Sequence, residues 1–94
     1  MPRPKKHRNC EGKVCDKIFK PTGTPLRNLT RIHLHEDELE ALRLCDLQGL
    51  FQEQAGAKMG VSRGTVQRLL TSAHRKVAAA LTEGAALILG NADE

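Results

Sequence analysis

The stretch 52–70, QEQAGAKMGVSRGTVQRLL, constrains the fold most. Two helices that meet steeply through a tight turn need a small residue where their backbones approach. They also need a turn residue at ease with positive φ, and apolar side chains to fill the wedge between them. Gly56, Gly60 and the set Ala55, Met59, Val61, Val66 and Leu69 stand at those offsets. Ser62 is a natural N-cap, since its hydroxyl can accept from a free amide of the next turn. The pattern predicts a short helix over 52–59, a turn at Gly60 and a longer helix over 62–82. Together they form a helix-turn-helix within 50–82 whose second helix presents its N-terminal end to a major groove of double-stranded DNA.

The buried face of the longer helix defines the exposed one. Val66, Leu69, Leu70, Ala73, Val77 and Leu81 recur at helical spacing and form the expected inner stripe. Arg63, Gly64, Gln67, Arg68 and Thr71 then face outward. Arg can bond a guanine edge in bidentate fashion, and Gln can do the same with adenine. Ser62, Thr65 and Lys76 are expected on phosphate, where contacts position a protein without reading sequence; Arg75 is a further candidate DNA contact. Gln52 opens the preceding helix, whose first amides can meet a phosphate. Gly64 lowers helix propensity by about 1 kcal/mol against Ala. It reads either as room for close approach to DNA or as simple tolerance.

Helix pairs hinged on glycine also occur in proteins that bind no nucleic acid, so charge has to decide. Residues 62–82 carry four bases and no acid, and residues 1–35 carry nine bases against two acids. Between them, residues 36–61 carry six acids against two bases. Two basic zones around an acidic one suit a polyanionic partner.

Upstream, Leu39, Leu42 and Cys45 recur every three residues, with Ala41 and Leu44 widening the stripe. Glu36, Asp37 and Glu38 oppose the positive end of a helix dipole, and Gly49 is a natural stop. A first helix is expected over 36–48. Residues 1–13 are basic, hold two Pro and offer little to bury, so they read as a flexible arm. Arg3, Lys5 and Lys6 are its candidate DNA contacts, along a minor groove. Short strands are expected within 14–20 and 30–34, paired as a hairpin beside the helices. Residues 85–89 read equally as a third strand or a helical tail. The fold class is thus mainly α, one helix-turn-helix domain over 14–90 followed by a tail at 91–94.

No apolar run approaches the roughly 20 residues that span a membrane. The basic N-terminus has no apolar stretch behind it, so a cytoplasmic protein is expected.

Four motifs in order, MPRPKK, FKPTGTPL, DELEALRL and MGVSRGTVQRLL, resemble a family of small prokaryotic proteins called domain of unknown function 134. The likeness covers about residues 1–90. The part from Asp37 to Leu81 also resembles the DNA-contacting fourth region of housekeeping sigma factors. These resemblances imply a sigma-like helix-turn-helix and a role in transcription. The chain departs from the family pattern at Gly56, where Ala is commoner, which is expected to cost a little helix stability, and at His35, where Thr is common, which weakens the expected cap of the first helix.

His7, Cys10 and Cys15, with His33 or His35 brought near by a hairpin, are the candidate ligands for zinc or another metal. No second Cys pair exists, and Cys45 reads as a small core residue. No cofactor is otherwise expected. Neither a nucleophile–base set nor a phosphate loop is present, so an enzyme is not expected. The leading expectation is a transcription regulator that binds double-stranded DNA as a homodimer. The alternatives are a module contacting the transcription machinery and a metal- or redox-responsive regulator.

Overall fold

The two helices around Gly60 form where their apolar spacing and caps place them. The computed structural model describes residues 17–90. Its elements are β1 (Lys17–Phe19), β2 (Arg31–Leu34), α1 (Glu36–Ala41), α2 (Gln52–Met59), α3 (Arg63–Glu83) and β3 (Ala86–Leu89). Helix dominates, with one small sheet beside it. Gly60 ends α2 at φ 76°, in the left-handed region where a side chain is strained. The Ser62 hydroxyl accepts from the Thr65 amide at 3.1 Å and starts α3.

α1 does not stop at Ala41. It runs on through Leu42–Leu47 with π winding, and the Gln48 amide reaches back to the Arg43 carbonyl at 3.0 Å. A five-residue hydrogen-bond step turns less per residue than an α step. Leu44 is buried, but Leu47 no longer falls beneath it and is 79% exposed.

The sheet order is β1-β3-β2. β3 runs antiparallel to β1, with Ile18 opposite Ile88, and parallel to β2, with Ile32 opposite Leu87. The expected hairpin is therefore corrected: β1 and β2 do not pair, because β3 lies between them. Of the two readings of residues 85–89, the strand holds. A parallel pair needs a long crossover, and α1 to α3 supply it.

Two apolar clusters hold these layers together. Ala41, Leu44, Ala55, Val66 and Leu70 join α1, its π continuation, α2 and α3, with Met59 and Leu69 packed against them. Leu34, Ala73 and Leu89 join α3 to the sheet, with Leu39, Leu42 and Leu87 alongside. α3 thus serves both clusters along one face. Cys45 packs on the first cluster, and burial pushes its thiol above the ordinary value. Two expected core positions fail. Val61 sits in the turn and is exposed, and Leu81 is 80% exposed near the end of α3.

Gly56 is, as expected, the small residue where the two backbones approach. A Cβ there would stand 2.6 Å from the Val61 carbonyl oxygen. The absent side chain is what lets the turn fold back against α2, and helix propensity is secondary.

A polar knot ties α1, α3 and the sheet. The Glu38 side chain is buried, accepts from the Lys76 ammonium at 2.7 Å and from the His35 amide at 2.8 Å, and takes the Ser72 hydroxyl as well. Lys76 also donates to the His33 carbonyl of β2 at 2.7 Å. Burial alone would raise the Glu38 carboxyl, but these bonds outweigh it and hold the group below its ordinary value.

Candidate nucleic-acid interface

Packing leaves one side of α3 to solvent. Val66, Leu70 and Ala73 are buried, and Arg63, Gly64, Gln67, Arg68, Thr71 and Arg75 are exposed on the other side. The expected outward set is therefore brought together along the first half of the helix. Within it the side chains are partly ordered. The Arg68 guanidinium donates to the Thr65 hydroxyl at 3.2 Å, and that hydroxyl lies 3.0 Å from the Ser62 oxygen. The chain Ser62–Thr65–Arg68 holds one guanidinium over the first turn. The Thr71 hydroxyl donates to the Gln67 backbone carbonyl at 3.0 Å.

Gly64 stands in open space. A Cβ there would meet nothing nearer than the Arg68 guanidinium at 3.8 Å. Nothing inside the described chain requires glycine at this place, on the exposed first turn of α3.

Gln52 is the first residue of α2 and is half-buried. Before it, the Phe51 amide donates to the Gln54 side chain at 2.8 Å. Phe51 itself is 75% exposed beside that start. No role was expected for it. The available signal was an aromatic residue at a cap position that usually holds a small polar one.

Lys76 is the correction in this region. It was expected on phosphate, but its ammonium is committed to Glu38 and to the His33 carbonyl, and its side chain is only 23% exposed. It builds the fold and leaves the outward set. His74 pairs with Asp46 at 2.6 Å instead of pointing at a partner.

Arg3, Lys5 and Lys6 lie outside the described residues, as do His7, Cys10 and Cys15 of the candidate metal set. His33, on β2, and His35, at the start of α1, are both exposed. Among the described residues no three His, Cys, Asp or Glu side chains come together as metal ligands. Among the described residues, too, no helix is long and apolar enough to cross a membrane.

Comparison with known proteins gives one family. The model described as "Protein of unknown function DUF134" matches residues 1–93. A UPF0251 protein of Shewanella sediminis is 49% identical over 89 residues, covering 95% of this chain and 93% of that protein. One from Aeromonas salmonicida is 44% identical over 93 residues, covering 99% of this chain and 91% of the relative. One from Syntrophobacter fumaroxidans is 47% identical over 90 residues, but these make up only 58% of the longer relative. No solved structure matches the chain.

Proposed function

We propose that this chain, which belongs to the DUF134 family, binds double-stranded DNA and reads the major groove with the first half of α3, as a regulator of transcription. The observation that carries the reading is the exposed row Arg63, Gln67 and Arg68, set on the first half of α3 directly after the Gly60 turn. Its groups match guanine and adenine edges. The space beside Gly64 supports a close approach of another backbone, and Arg75 with the capped turn at Ser62 supplies contacts for phosphate. The basic arm at Arg3, Lys5 and Lys6 adds charge for the same partner.

Titration of a labelled duplex pool tests this. About three phosphate contacts per chain should weaken binding roughly fortyfold between 50 and 200 mM salt. Arg68→Ala and Gln67→Ala should each cost about 1–3 kcal/mol on a selected duplex and flatten base preference at one position. Salt-independent binding, or an Arg68→Ala chain with unchanged affinity and preference, would refute the reading. No binding at low salt together with a stable complex with another protein would instead favour an interaction module.

A further inference from the structure

We infer that the apolar groove between the π-wound segment and the second half of α3 is the face through which two copies of this chain associate. The inference rests on the DNA-reading proposal only for its account of spacing. The groove has a volume of about 750 Å³, and Leu39, Leu42, Val77 and Leu89 form its floor. Leu47 and Leu81 stand on its walls and are 79% and 80% exposed, so they project instead of lining a closed cavity. Large exposed apolar side chains grouped around an apolar floor mark a protein contact. A small ligand in the floor would leave both leucines in water. A second copy can cover them, each Leu81 entering the other chain's groove.

Charge at the mouth selects the occupant. Lys17 lies on the sheet side, while Arg43, paired with Glu40, and Asp46, paired with His74, lie on the helix side. A mouth that carries both signs can set Asp46 of one copy toward Lys17 of the other after a two-fold rotation, as an isologous contact requires. It matches neither a polyanion nor a uniformly charged partner.

Geometry agrees. Gln67 and Leu81 lie fourteen residues apart on α3, about 21 Å of axis at 1.5 Å per residue. A two-fold axis beside Leu81 therefore sets the two Gln67 residues at most about 42 Å apart. Inclined helices shorten this toward the 34–36 Å, about one turn of duplex, that separates half-sites on one face.

Sedimentation of the full chain, free of DNA, tests the contact. The wild type should sediment as twice 10.3 kDa at micromolar concentration. Leu81→Glu, which would bury a charge in the partner's groove, should weaken association at least a hundredfold. Its helical circular dichroism should not change, because Leu81 is exposed. Leu47→Glu should do the same from the other wall. A wild type that stays at 10.3 kDa at 100 μM, or a Leu81→Glu chain that remains dimeric, overturns the inference. Duplex binding separates the two proposals. A dimer that ignores duplex refutes DNA reading alone, and a monomer that binds it refutes the dimer alone.

Discussion

Glu38→Ala should cost about 3 kcal/mol of folding stability at neutral pH, read from denaturant unfolding. Removing one partner of a buried pair strands the other charge, at a cost of about 3–5 kcal/mol. The lower end applies because the Lys76 side chain keeps 23% exposure. Ser72 and the His35 amide lose their acceptor in the same step. A domain of this size has only about 5–10 kcal/mol in all. A loss below 1 kcal/mol would show that the knot does not hold α1, α3 and the sheet together. The knot also sets a pH dependence. Glu38 titrates lower when folded than when unfolded, so its contribution is complete above the ordinary value of 4.5 and drains away as pH falls below it. Glu38→Gln should be less stable at pH 7 and should lose less between pH 5 and pH 3 than the wild type. Equal slopes for the two chains would place the acid sensitivity elsewhere.

Gly56→Val should be nearly as damaging, at about 3 kcal/mol. The added Cβ would fall 2.6 Å from a carbonyl of the turn, and backbone cannot swing aside as a side-chain tip can. The turn must widen, which moves the start of α3 relative to α2. Duplex affinity should therefore fall even at temperatures where the chain remains folded. Gly64→Ala is the matched control. Its Cβ has open space, so stability should hold or rise by up to about 1 kcal/mol. A weaker hold on duplex in that stable variant would place a DNA backbone against Gly64. Thermal melts and duplex titration of both variants check the pair, and a Gly56→Val chain as stable as the wild type would remove the steric argument.

The helices were legible because their signals are local. Spacing of Val66, Leu70 and Ala73, the cap at Ser62 and the stop at Gly60 all lie within a few turns of what they control, and α2 begins and ends where expected. The outward row on α3 followed from the same stripe. What was not legible depends on partners distant in sequence. Strands of three or four residues carry too little alternation to announce their neighbours, so nothing local said that β3 would separate β1 from β2. Lys76 sits in a segment without acids and looked available. Its partner, Glu38, arrives from α1 only after folding. Leu81 kept the helical period of the stripe but lies past the end of what α1 and its continuation cover. The π winding that leaves Leu47 exposed was likewise absent from the expectation of one regular helix over 36–48.

The parallel pairing of β2 with β3 fixes an order of events. Arg31 lies beside Ala86, so more than half the chain must be threaded between the two strands before either gains a partner. Loop closure of that length is costly and slow, whereas the contacts of α2 with α3 are between neighbours. The cluster around Val66 and Leu70 can therefore assemble before the sheet closes. The cluster of Leu34, Ala73 and Leu89 has to wait for the last strand. The turn that presents α3 is in this sense the early-folding part of the molecule, and the sheet is a late clasp that closes over the finished helices.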